Sequence, residues 1–168
     1  MYAEVSCMRI TKDTATFDYF NNFPYLDQVV KEGLRIRPTV SMVARELAVD
    51  VTYKGHTFPE RSQVFLSLLA VHLDPEIYPE PNKFVPDRFN PDNAEKLSKA
   101  FIPFAVGPRR CIGKNFAILE MKIIVATIIK NFKIVAPKPI ESIKYDFDIV
   151  CFPKEPLQVQ FYSRNKHL

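Results

Sequence analysis

One thiol in this chain stands in a setting that chemistry can use. The stretch Phe104-Ala-Val-Gly-Pro-Arg-Arg-Cys-Ile-Gly113 offers Cys111 from a tight loop that opens directly into an apolar helical pattern. A cysteine at a helix start lies at the positive end of the helix dipole, which favours the thiolate. Arg109 and Arg110 push the same way. Gly107 and Gly113 let the backbone turn and approach another group closely. Phe104 can form a dry wall near the sulfur. A shielded thiolate of this kind suits an iron ligand.

Other chemistries fit the loop worse. A phosphate-binding P-loop needs four residues between its glycines and then Lys-Ser/Thr; here five residues separate Gly107 from Gly113, and Asn115 stands in the hydroxyl position. A Cys-x5-Arg phosphatase loop needs arginine where Ala117 stands. A zinc site needs about four ligands in paired spacings. Cys7, Cys111 and Cys151 are far apart, and His56, His72 and His167 pair with none of them. The plain alternative is a buried structural cysteine, since free cysteine is among the most buried residue types.

The elements that must position this loop can be read around it. The helix after Cys111 runs to about Lys130 and is apolar on most faces, which predicts burial. Tyr2–Met8 reads as the tail of a helix and Thr14–Phe20 as a short second one. A stronger helix starts near Pro24, carries Leu26, Val29, Val30 and Leu34 at helical spacing, and is closed after Arg37 by Pro38. Short strands are predicted over Thr39–Ala44, Ala48–Tyr53 and Gln63–Leu69, punctuated by Gly55 and Pro59. Asp74-Pro75 marks a turn or helix start. Between Tyr78 and Pro103 prolines are dense, so an irregular segment packed against something else is expected. Phe132–Val135, Tyr145–Phe152 and Leu157–Phe161 read as strands. The pattern is α+β.

A length of 168 residues suits one domain. With 47% hydrophobic residues the chain can build a core, and disorder is not expected. Three unpaired cysteines give no disulfide framework, which fits a reducing compartment. The net charge of +4 comes without a basic helix or an RNA-binding aromatic motif, so nucleic acid is not an expected partner. No signal peptide is visible. The most apolar run, Phe116–Ile129, is interrupted by Glu120 and Lys122 and is shorter than a membrane span, so no anchor is expected in this chain.

A second constellation lies upstream. Glu32 and Arg35 are three apart on the predicted helix and share a face. As a surface pair they would contribute only a few tenths of a kcal/mol. Farther on, Arg88 stands in Phe84-Val-Pro-Asp-Arg-Phe89, inside the proline-rich segment. Such a segment lacks ladder hydrogen bonds, whereas forked arginine donors and a carboxylate acceptor can tie it down.

The Cys111 loop resembles the heme-binding loop of the cytochrome P-450 family, Phe-x-x-Gly-x-Arg-x-Cys-x-Gly, met by Phe104, Gly107, Arg109, Cys111 and Gly113 without a gap. Glu32-Gly33-Leu34-Arg35 resembles that family's Glu-x-x-Arg motif, and the segment around Arg88 its Pro-x-Arg-Phe motif. The order and spacing of the three are specific, and the resemblance runs from about Tyr2 to Phe161. It implies the C-terminal portion of the family fold, residues 1–168 forming the heme-ligating part, without the N-terminal anchor or the central oxygen-activating helix.

What the resemblance implies for chemistry follows residue by residue. Cys111 would be the axial ligand of heme iron (heme b) and the catalytic residue, with Phe104 covering the thiolate side. Gly107 and Gly113 belong to the same heme-binding pattern. Arg109 and Arg45, the latter seven residues past Pro38, match positions that pair with heme propionates; the plain reading of Arg45 is a surface strand arginine. Glu32, Arg35 and Arg88 would form one buried network. Thr39–Val43 and Ile149–Cys151 match substrate-facing segments, although Cys151 reads on its own as a small core residue. Lys96, Lys99, Arg110 and Lys114 form either a solvated face or a dock for an acidic electron donor.

The implied activity is that of a monooxygenase inserting one oxygen atom from O2 into an apolar substrate such as a lipid, steroid or xenobiotic. NADPH would act indirectly through a reductase, with cytochrome b5 as a possible second donor. The full-length parent would sit on the cytosolic face of the endoplasmic reticulum. The alternative is a truncated, non-catalytic heme-binding or interaction module. Lacking a recognisable oxygen-activating helix, the chain alone is expected not to turn over substrate.

Overall fold

A computed structural model describes residues 1–93, 97, 99–139, 142–147 and 150–164. Its centre is α3 (Pro24–Ile36), with Pro24 in the first turn, where the absent N–H costs nothing. The free amides of that turn are capped from another helix. In α1 (Tyr2–Val5), Glu4 accepts from Tyr25 N at 2.9 Å and from Leu26 N at 2.8 Å. An anion at a helix N-terminus satisfies both donors and dipole. α2 (Phe17–Phe20) is capped by the Thr16 hydroxyl.

The main core gathers Val5, Met8, Phe20, Leu26, Val30, Leu34 and Ala126. Ala126 comes from α5 (Lys114–Asn131), which packs on α1, α2 and α3. α3 also buries Glu32 and Arg35, on a side turned towards the proline-rich segment. That segment holds two short 3-10 turns, Pro86–Phe89 and Pro91–Asn93, and no strand among the described residues. A smaller cluster of Tyr78, Leu97 and Ala100 fixes its two ends together.

Four two-stranded antiparallel sheets are seen among the described residues. β1 (Met42–Glu46) pairs with β4 (Gln63–Ser67), Met42 facing Ser67 and Glu46 facing Gln63. β2 (Val51–Tyr53) and β3 (His56–Phe58) form a hairpin. Its two-residue turn places Lys54 and Gly55 at positive φ, the primed geometry that matches strand twist. β5 (Phe132–Val135) pairs with β8 (Gln160–Ser163), and β6 (Tyr145–Phe147) with β7 (Cys151–Pro153).

Several expectations are corrected. The apolar run Gln63–Leu69 is not one strand: β4 stops at Ser67, whose hydroxyl caps α4 (Leu68–His72) by accepting from Ala70 N at 3.1 Å. Tyr145–Phe152 is two strands folded back on each other. β3 was not expected, because its three residues include two polar ones and give no alternation signal. The helix after Cys111 is present, but it is not buried on most faces. Only Lys122 and Ala126 are buried, while Phe116 is 72% and Ile124 49% exposed, because α1, α2 and α3 cover one side of it.

Candidate functional site

The Cys111 loop is closed by its own backbone. Cys111 N donates to Phe104 O at 2.9 Å, and Arg110 N to Gly107 O at 3.1 Å. Ala105 (φ 57°) and Gly107 (φ 79°) both lie in the left-handed region. At Gly107 glycine adopts that geometry without the strain a Cβ would add. Gly113 differs: its φ is −84°, and a Cβ there would meet Cys111 Sγ at 3.9 Å, an ordinary contact. The chain's own backbone therefore does not demand glycine at 113; a side chain would instead fill space beside the sulfur.

Phe104 is half-buried and packs on the main core, so the loop is anchored at its first residue. Cys111 itself is exposed. Its neighbours Val106, Ile112 and Phe116 are exposed apolar side chains at 65%, 104% and 72%. Exposed apolar side chains close in sequence to a soft sulfur donor suit a flat, largely apolar metal macrocycle. Among the described residues no group of three or more His, Cys, Asp and Glu could hold a bare metal ion. Arg109 is exposed and forms no ion pair with a described residue, leaving its guanidinium free for an anion. On these grounds the residues present fit heme.

Arg45 lies on β1, half-buried, and donates to the carbonyl of Ala44 at 2.7 Å. Among the described residues no hydrogen bond or ion pair joins it to the Cys111 loop. Lys99, Arg110 and Lys114 are exposed; Lys96 lies outside the described residues. The backbone brings the two substrate-facing candidates together: Cys151 N donates to Thr39 O at 2.7 Å. Ile149 lies outside the described residues. Cys151 borders a cavity of about 310 Å³ with Arg37, Leu69 and Tyr145, and burial pushes its thiol pKa up against the opposing pull of Arg37.

Glu32, Arg35 and Arg88 stand together. Glu32 and Arg35 have fully buried side chains and form a fork, with Arg35 Nε 2.7 Å and Nη2 2.9 Å from the two carboxylate oxygens. Arg35 also donates to His72 O at 2.8 Å and to Lys83 O at 3.2 Å. Glu32 accepts a third hydrogen bond from Val85 N at 2.8 Å. Glu32 was expected to accept from both arginines; here Arg88 is a weaker partner. Its Nε approaches Glu32 Oε1 to 3.4 Å, close enough for an ion pair but without hydrogen-bond geometry, and that Nε has no acceptor among the described residues. Its Nη2 reaches Glu80 O instead, at 2.9 Å. Burial pushes the Tyr78 hydroxyl up to about 12, with Arg35, whose guanidinium lies 5.1 Å from the ring centre, opposing that rise.

Three partners gave no sequence signal. Val85 acts through its amide, which no side-chain motif reveals. His72 sits in the apolar run Leu68–Leu73. Lys122 interrupts the apolar helix in sequence without naming a partner; it is 3% exposed and pairs with Asp27 on α3 at 2.6 Å. Burial works against the Asp27 carboxylate, but Lys122 and Lys31 more than offset it and hold its pKa below the usual value.

A sequence model of the family described as cytochrome P-450 matches residues 1–161. The chain belongs to the cytochrome P-450 family. It is 34% identical over 166 residues to probable cytochrome P-450 4ac1 of Drosophila melanogaster, covering 98% of this chain and 33% of that protein. It is 32% identical to the lithocholate 6-beta-hydroxylase of Mesocricetus auratus, over 99% of this chain and 33% of that protein. The retinoic-acid-bound structure of cyanobacterial CYP120A1 superposes with a TM-score of 0.83 at 34% identity, over 96% of this chain and 37% of that one. The fold is thus an α+β portion of the P-450 fold. The chain spans about one third of the length of the relatives it matches. Among its described residues no helix is long and apolar enough to cross a membrane.

Proposed function

We propose that this chain is the heme-ligating portion of a cytochrome P-450 monooxygenase, with Cys111 as the axial iron ligand. The observation that carries the reading is the exposed Cys111, presented by a loop closed through its own backbone, with Val106, Ile112 and Phe116, within five residues of it in sequence, exposed as well. Cys111 would hold the iron, Phe104 would back the sulfur side, and Arg109 and Arg45 would bind the propionates. Heme bound there supplies an iron centre at which O2 can be activated, the thiolate favouring O–O cleavage.

The chain's own residues have three tasks in this reading. The loop fixes the sulfur, the apolar side chains around it exclude water, and the Glu32–Arg35 pair fixes the segment that leads into the loop. The substrate is an apolar molecule of the lipid, steroid or xenobiotic class. Two similar proteins support that class, one being named a lithocholate hydroxylase and the other solved with retinoic acid. Electrons come from NADPH through a reductase docking on the basic face of Lys99, Arg110 and Lys114, with cytochrome b5 as a second donor. The parent protein works at the cytosolic face of the endoplasmic reticulum.

Heme titration of the chain, followed by reduction under carbon monoxide, tests the ligand. The expected result is the strongly red-shifted Soret band of a thiolate complex, absent in Cys111→Ala. A red-shifted band that survives Cys111→Ala would overturn the assignment.

A further inference from the structure

We infer that His72 is a positioning residue for the Cys111 loop: its imidazole grips the amide of Ile102, its carbonyl is held by Arg35, and it thereby sets where the loop begins. The side chain is fully buried at the end of α4. Its Nε2 lies 3.0 Å from Ile102 N. A backbone amide can only donate, so Nε2 must be the unprotonated nitrogen and the ring proton must sit on Nδ1. Nδ1 has no hydrogen-bond partner among the described residues. The ring is further fixed by stacking on Phe101, 5.7 Å between centres.

Both ends of this residue are engaged. Its own carbonyl accepts from Arg35 Nη1 at 2.8 Å, and Arg35 is forked onto Glu32. On the far side, Ile102 O accepts from Ala105 N at 3.0 Å, and Phe104 O accepts from Cys111 N at 2.9 Å. One continuous series of hydrogen bonds and short chain links therefore runs from the buried carboxylate of Glu32 to the residue bearing the thiol. Ile102 sits in a proline-rich stretch with no strand neighbour among the described residues, so without His72 its amide loses the one protein acceptor they give it. Only the neutral imidazole can serve. Burial first, and then the Arg35 charge, lower the His72 pKa to about 4, so the acceptor form persists at neutral pH.

The consequence for heme rests on the Cys111 reading above; the positional claim does not, and the heme-free chain tests it. Nitrogen chemical shifts of His72 in the wild-type chain should report a neutral ring protonated at Nδ1. The opposite tautomer, or an imidazolium at neutral pH, would overturn the inference. In His72→Leu the exchange protection of the Ile102 and Cys111 amides should fall about tenfold, equivalent to about 1.4 kcal/mol, while α3 amides stay protected. His72→Gln keeps an acceptor near the Nε2 position and should restore the protection. Equal loss in Gln and Leu, or no loss in Leu, would refute it. Should the leucine variant not fold, the tautomer and the glutamine variant still decide. With heme added, His72→Leu should lose the thiolate-type band that His72→Gln retains. A wild-type chain without that band would refute the Cys111 reading and leave the amide measurements to judge His72.

Discussion

Replacing Glu32 by alanine should nearly unfold this chain. The carboxylate accepts from Arg35 Nε at 2.7 Å, Arg35 Nη2 at 2.9 Å and Val85 N at 2.8 Å, and it faces Arg88 at 3.4 Å. Glu32→Ala leaves a fully buried guanidinium without its anion. Such a break costs about 3–5 kcal/mol. An independent reckoning agrees. Two lost bonds to charged groups at about 1.5–3 kcal/mol each and one orphaned amide at about 1–3 kcal/mol give about 4–9 kcal/mol. Arg35 keeps the carbonyls of His72 and Lys83, which places the outcome at the low end, about 4 kcal/mol. A domain holds about 5–15 kcal/mol in total, so the effect is a large part of the whole. Urea unfolding at constant slope is the assay. Arg35→Ala should cost a similar amount. The double variant removes both charges together and should cost less than the sum by up to about 3 kcal/mol. Additive losses, or a Glu32→Ala effect below about 1 kcal/mol, would mean that the fork is an incidental ion pair and that the argument from buried charge fails.

Two further outcomes follow from the same physics. Asp27→Asn strands the buried Lys122 ammonium, whereas Lys122→Met removes that charge and leaves Asp27 paired with Lys31 at 2.5 Å. Asp27→Asn should therefore cost about 3 kcal/mol and Lys122→Met about 1 kcal/mol, and the reverse order in a denaturation series would count against the pair's assigned asymmetry. Stability should also fall with pH through His72. Its pKa is 6.5 unfolded and about 4 folded, so between those values the unfolded chain binds a proton that the folded chain does not. The contribution is complete above pH 6.5 and is lost as pH falls towards about 4, on the order of 3 kcal/mol in all. His72→Gln should flatten that part of the profile; an unchanged slope would refute the linkage.

What could be read from the sequence depended on whether partners lie close along the chain. The Cys111 loop is contiguous, and its hydrogen bond from Cys111 N to Phe104 O spans a few residues, so the motif announced it. Glu32 and Arg35 share a helix turn and were equally visible. Strand limits were not. β2, β3, β5 and β8 are exposed along their whole length and carry no inside–outside alternation to mark their ends. The exposure of α5 was misjudged because an apolar surface in sequence does not say how many neighbours the chain provides to cover it.

The proline-rich segment carries the deeper reason. With no strand neighbour among the described residues, it satisfies part of its backbone in short turns and part through polar side chains. Val85 N goes to Glu32, Lys83 O to Arg35, Glu80 O to Arg88 and Ile102 N to His72. Those pairs span eight to 53 residues in sequence, and half of each is a backbone atom common to nearly every residue. No pattern of residue types can encode such an attachment, although three of the four side chains stood out in the sequence. The segment ends where the Cys111 loop begins. A fold that anchors an irregular chain through a few buried charges, and not through a ladder, places the thiol only as well as those charges are paired. Loss of one should therefore be felt at Cys111 before it is felt in α3, whose Leu26, Val30 and Leu34 remain locked in an apolar core.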